Sequence, residues 1–298
     1  MKLRMTMALL LTAAATCFGR LDVVTTTSNL ASLAEIVGGD LVKVESIAAG
    51  KQDPHHLQAR PKYVMMARKA DLWIRTGMDL EIGWEMPVIE GSRNRKIRPG
   101  QPGHLDASEH IHKLEVPDVS MLTRAMGDVH AQGNPHYLLD PDNAKHVAGD
   151  IAERLAQLDP ENAETYKANA EAFSAKIDER MAEWTATLEP LKGTSIVTYH
   201  KSWVYFCHRF GIDIAIELEP KPGVPPSPAH LSQVIQTVEA DDIKIILQEP
   251  WYSTKPAERV AERTGARIVE APLFTGSDPE AGNYIALIDL IVKHLTEK

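Results

Sequence analysis

Cysteine is nearly missing from this chain: Cys17 and Cys207 are the two in 298 residues. Cys17 falls in a leader-like segment, so the mature chain keeps one thiol, can form no intrachain disulfide, and must hold its cores together unaided. Basic surplus is missing as well. Lys and Arg number 32 against 41 Asp and Glu, a formal net charge of -9, which argues against nucleic acid and anionic membrane surfaces as partners. The apolar run from Met5 to Ala15 is too short to span a bilayer. No internal repeat, no helical His-Glu-x-x-His and no evident nucleophile elbow is found.

What is present describes a folded protein. Hydrophobic residues make up 44% and charged residues 24%, and the length suffices for two domains, each with its own core. Lys2 and Arg4 before the apolar run, with small residues after it, have the layout of a secretory signal peptide. Cleavage after Gly19 would leave Arg20 as the first residue and take the net charge from -9 to -11. A lipidated Cys17 is the rival, but Ala14-Ala15-Thr16 is a poor match for such a site. Soluble export is the preferred reading.

Strand and helix alternate from Leu21 to Gly77: strands at Leu21 to Thr26, Leu41 to Ile47 and Ala70 to Gly77, helices at Ser28 to Val37 and Pro61 to Arg68. The segment from Glu90 to Val119 shows no period and reads as loop. Asp140-Pro141 then starts a helix, with Ala144, Val147, Ala148, Ile151, Leu155 and Leu158 on one face. Asp159-Pro160 interrupts, and the period resumes from Tyr166 to Leu188. The alternation returns between Thr194 and Leu295. The expected fold is therefore α/β: two α/β lobes with parallel-type sheets joined by a long helical spine. The expected boundaries are 1–19 signal peptide, 20–140 first lobe, 141–190 spine and 191–298 second lobe.

Three histidines fall where such sheets usually build sites, in loops past predicted strands or at the head of the spine. They are His55 in Asp53-Pro54-His55, His136 in Asn134-Pro135-His136, and His200 after Thr198-Tyr199. Separations of 81 and 64 residues exclude a local zinc-finger staple. If the three meet, they meet in a cleft between the lobes. Three neutral imidazoles with one carboxylate would suit Zn²⁺, but twelve histidines offer many triplets, so spacing alone is weak evidence.

Those three motifs, with Pro61, Asp140-Pro141, Phe206 and Gly211, resemble the ZnuA/TroA-like family, the metal-binding receptors of ABC importers, over essentially the whole mature chain. The resemblance implies one Zn²⁺, Mn²⁺ or Fe²⁺ ion held between the lobes by His55, His136 and His200, and a membrane permease as partner. A histidine at 200, where manganese-selective relatives often carry glutamate, leans toward zinc. The fourth ligand departs from the pattern. Gly276 occupies the place where relatives often have aspartate, so Asp278, Glu249 and water compete for that position.

Each remaining candidate has a plain reading. His56 is a solvent-facing neighbour of His55, with a ligand role as the alternative. His130 is either a site-edge residue or loop decoration, the second preferred. His104, His110 and His112 form at most a thin metal-gathering loop. His146, His208, His230 and His294 belong to surface or half-buried helix positions, and Cys207 to a buried inert thiol. The expected function is that of a periplasmic, monomeric zinc receptor. The alternatives are a manganese or iron receptor, or an exported zinc hydrolase with Glu249 as general base.

Overall fold

The computed structural model describes residues 19–118 and 130–297. The expected signal peptide, apart from Gly19, and Cys17 lie outside them. Two four-stranded sheets are present, and every strand pair in them is parallel. The first contains β1 (Leu21–Thr27), β2 (Val42–Ala48), β3 (Leu72–Arg75) and β4 (His104–Asp106) in the order β2-β1-β3-β4. Helices α1 (Ser28–Gly38), α2 (Pro61–Lys69) and α3 (Glu85–Ser92) accompany it.

The spine follows as α4 (Pro141–Leu158) and α5 (Ala163–Leu188). Asp140 caps α4 by accepting the Asp142 N–H at 3.0 Å, with Pro141 at the first helical position. The second sheet contains β5 (Ser195–Thr198), β6 (Asp213–Glu217), β7 (Ile245–Gln248) and β8 (Arg267–Glu270) in the order β6-β5-β7-β8. Its helices are α6 (Val204–Phe210), α7 (Pro228–Ala240), α8 (Lys255–Thr264) and α9 (Tyr284–Thr296). The left-handed Gly211 (φ 68) and Gly265 (φ 75) stop α6 and α8, a conformation that suits glycine.

The segment expected to be loop from Glu90 to Val119 contains the end of α3 and all of β4. A three-residue strand carries no readable period. It forms because neighbours hold it: the Trp73 N–H donates to Gly103 O at 2.8 Å, and Arg154 of α4 donates to the carbonyls of Pro102 and His104.

The cores also differ from one per lobe. Alternation along the strands splits their side chains between two faces. Val24, Trp73, Tyr63 and Val88 fill the outer side of the first lobe, and Val197, Ile246, Val234 and Val260 the outer side of the second. Val23, Leu72 and Ile74 of one sheet and Ile196, Ile245 and Leu247 of the other point inward into a single apolar cluster that includes Val147, Ile151, Phe173 and Ile177 of the spine. The two lobes and the spine therefore share one interior.

Polar lacing runs across the same seam. Asn29 of α1 donates to Leu273 O at 3.0 Å and accepts from Thr275 N–H at 2.9 Å, while Ser28 Oγ donates to Thr275 O at 2.8 Å. Arg209 of α6 forks onto the Asp140 carboxylate at 2.7 and 2.8 Å, tying the second lobe to the head of the spine.

Candidate metal centre

His55 lies in a short turn after β2, His136 at the head of the spine and His200 just past β5. The fold brings all three rings together. Ring centres are 5.3 Å apart for His55 and His136, 5.6 Å for His55 and His200, and 5.5 Å for His136 and His200. Imidazoles bound at about 2.0–2.1 Å to one tetrahedral ion put their ring centres roughly 5 Å apart. One nitrogen of each ring lies within 4.8 Å of the corresponding atoms of the other two.

The wiring behind the rings repeats. His55 Nδ1 donates to Asp53 Oδ1 at 2.7 Å, and the same oxygen accepts the His55 backbone N–H at 3.0 Å. His136 Nδ1 donates to Asn134 Oδ1 at 3.0 Å, and that oxygen accepts the His136 backbone N–H, also at 3.0 Å. Both are Asx turns, in which a short side chain folds back onto the residue two positions on. Pro54 and Pro135 stiffen the intervening step. His200 Nδ1 donates to Glu219 Oε2 at 2.8 Å, a partner nineteen positions away. With each Nδ1 carrying its proton to an acceptor, each Nε2 presents a lone pair inward.

Electrostatics separate the three. Burial, reinforced by the neighbouring imidazoles, depresses the His136 pKa well below its ordinary value, so that ring is neutral. For His200 burial pulls down, but the Glu219 hydrogen bond and the Glu249 and Asp53 charges outweigh it and raise the pKa. A cavity of about 330 Å³ opens beside the rings, with Glu115, Lys201, Glu217 and Pro220 in its walls.

The family described as zinc-uptake complex component A, periplasmic (ZnuA), matches residues 23–298. The chain belongs to that family. Among curated relatives it is 33% identical over 132 residues to the high-affinity zinc uptake system protein ZnuA of Brucella abortus (strain 2308). That match spans 44% of this chain and 40% of the relative. It is 27% identical to the iron-binding protein YfeA of Yersinia pestis, across 92% of this chain and 84% of that one. It is 25% identical to the manganese ABC transporter substrate-binding lipoprotein PsaA of Streptococcus anginosus, across 90% and 84%. The fold matches a crystal structure of ZnuA with a TM-score of 0.77 at 24% identity, covering 93% of this chain and 98% of that one.

Neither expected carboxylate joins the three-histidine group among the described residues. Asp278 is half-exposed, and its carboxylate accepts the Glu280 N–H at 2.8 Å. Glu249 is fully buried near His200, and neither of its oxygens has a hydrogen-bond partner. Burial, only partly offset by His200, pushes its pKa up to about 7.

His56 is exposed, with its ring centre 6.3 Å from that of His55. His104 is buried in β4, its Nδ1 bonded to Ile97 O at 3.0 Å, so it belongs to the sheet rather than to a metal-gathering loop. His110 is exposed and pairs with Asp150 at 3.0 Å. His146 and His208 are exposed, His230 and His294 half-buried. Cys207 is buried, and burial pushes its thiol up to about 12, which leaves it inert.

Sequence reasoning left the partners of the histidines unnamed. For Asp53 and Asn134 the signal was in plain view, an Asx two residues before each histidine. For Glu219 there was none.

Proposed function

We propose that this chain is the periplasmic metal-binding receptor of an ABC importer, and that it binds one Zn²⁺ ion through His55, His136 and His200 and delivers it to the membrane permease. One observation supports this reading above the rest: three imidazoles from distant parts of the chain turn bare nitrogens toward a common point, each with its far side already held by an acceptor. That is how proteins prepare histidine to ligate a metal. Nitrogen donors without a carboxylate in the group favour Zn²⁺ over Mn²⁺, which prefers oxygen. The relatives named for zinc, iron and manganese divide on this point, so the choice of metal rests on the donor set.

A catalytic zinc site is the reading set aside, because the family is one of transport components. No helix among the described residues is long and apolar enough to cross a membrane. The deciding experiment is a calorimetric titration of the purified, chelator-stripped protein with Zn²⁺ at neutral pH, followed by competition with Mn²⁺. Saturable one-to-one binding that Mn²⁺ displaces poorly is expected. Absence of such binding would remove the receptor reading, and ready displacement by Mn²⁺ would remove the choice of zinc.

A further inference from the structure

The structure assigns a fourth imidazole to this centre: we propose that His130 completes the coordination of the ion, which then sits among four histidines. The proposal rests on the receptor reading above and names what fills its open position. Spacing is the first argument. The His130 ring centre lies 5.2 Å from that of His55, against 5.3 to 5.6 Å within the triad. A second imidazole at this spacing is what a tetrahedral ion beside His55 requires, since such ligands stand roughly 5 Å apart ring to ring.

The ring nitrogens point the same way. His130 Nε2 is buried and has no hydrogen-bond partner, and His55 Nε2 shares that condition. A buried polar atom left without a partner is rare in folded proteins and costs stability unless something fills its valence. Loop decoration would predict the opposite, a ring turned to water.

The backbone of Met78 and Asp79 stands beside the His130 ring and favours its protonated form, against the burial that lowers its pKa. These two residues stand at φ 50 and φ 63, left-handed values that non-glycine residues adopt at a cost and that recur where function dictates the geometry. Gln132 Nε2 donates to Asp79 Oδ1 at 3.0 Å and pins the same turn from the side chain. His130 thus shares with His55 a buried Nε2 that no protein group fills, the condition in which a histidine is ready to ligate a metal.

Two other occupants compete for the fourth position. One oxygen of Asp278 accepts the Glu280 N–H. Glu249, like His130, stands outside the group of close donors with its polar atoms buried and unpartnered, and what favours His130 is its 5.2 Å ring spacing from His55. In the structure His130 lies outside the 4.8 Å group and its close ring spacing is to His55 alone, so joining the ion takes an inward movement of its ring toward His136 and His200.

X-ray absorption at the zinc edge of the Zn²⁺-loaded full chain, which counts imidazoles by their multiple scattering, tests the assignment. The expected count is four in the unaltered protein and three in His130→Ala. Zn²⁺ affinity against a chelator should fall in His130→Ala by at least ~10-fold, the floor for losing even a group that only orients a ligand. His112→Ala, a histidine on the exposed surface nearby, should change neither reading. Thermal unfolding confirms that each variant is folded, and His130→Gln serves as the second variant should the alanine form fail. A count of three in the unaltered protein with undiminished affinity in the variant overturns the assignment and leaves the receptor reading intact. Failure of the unaltered protein to bind Zn²⁺ overturns both.

Discussion

His136 and His200 are neighbours in space with opposite support. His136 is held by Asn134, two residues away, through a neutral amide, and it is sealed inside the fold as a neutral ring. His200 is held by a carboxylate from beyond β6, and negative neighbours raise its affinity for a proton. The first arrangement makes a ligand whose geometry is set by local chain chemistry and whose readiness does not depend on pH near neutrality. The second makes a ligand for which proton and metal compete. One centre therefore contains a fixed anchor and a proton-linked member, and each can be disturbed separately.

Removing the anchor should have the largest effect. His136→Ala takes away a proposed ligand outright, and Zn²⁺ binding by calorimetry should fall beyond the roughly 10–100-fold that follows loss of a supporting partner. Asn134→Ala comes next. Its amide orients His136 and also donates to Lys201 O at 2.7 Å and Glu115 at 3.0 Å, so the substitution loosens the anchor and a tie to the second lobe together. Affinity should drop by about 100-fold, the upper end of that range.

Glu219→Gln should cost less, about tenfold at alkaline pH, because an amide oxygen still accepts from His200 Nδ1. Its signature lies in the pH profile. With His200 raised above its ordinary value of about 6.5, Zn²⁺ must displace a proton at any pH below that raised value, and affinity weakens as pH falls through it. In Glu219→Gln the proton is held less tightly, so the onset of weakening should move to lower pH while the alkaline plateau falls. A plateau that falls with no shift in onset would mean that Glu219 positions the ring without setting its charge.

Stability of the protein without metal should carry the same contrast in sign. The ion pair of His200 with Glu219 contributes fully below about pH 6.5 and is lost as pH rises through the raised value. His136 acts the other way, because the unfolded chain takes up a proton near 6.5 that the folded chain refuses, so its contribution falls as pH drops below that value. Unfolding temperatures across pH, compared between the unaltered protein and Glu219→Gln, separate the two. The smallest effect belongs to His294→Ala, which lies on α9 with its Nδ1 against Glu270 O and should leave Zn²⁺ affinity unchanged.

Legibility in the sequence followed the range of the forces involved. The capped start of α4 at Asp140-Pro141 and the glycine stop at Gly211 are effects of adjacent residues and could be read directly. The same holds for the apolar stripe of Val147, Ile151 and Leu155. β4 could not be read, because Arg154 and the edge of β3 hold three residues that have no pattern of their own. The common interior was equally hidden: Val23 and Val24 look alike in sequence, and only the pleat sends one to the spine and the other to the outer core. At the site the three histidines were found through a resemblance more than through spacing. Glu219 and the place of His130 were decided by folding that brings distant segments together.

The seam between the lobes bears on how the ion leaves. Halves fused through one greasy interior and stitched by Asn29 and Thr275 have little freedom to swing apart like a shell. On the receptor reading, capture then calls for movement of side chains, the His130 ring among them, more than of the lobes. The corollary, on the same reading, is that release would fall to small displacements of the ligand rings at the permease rather than to a wide parting of the lobes.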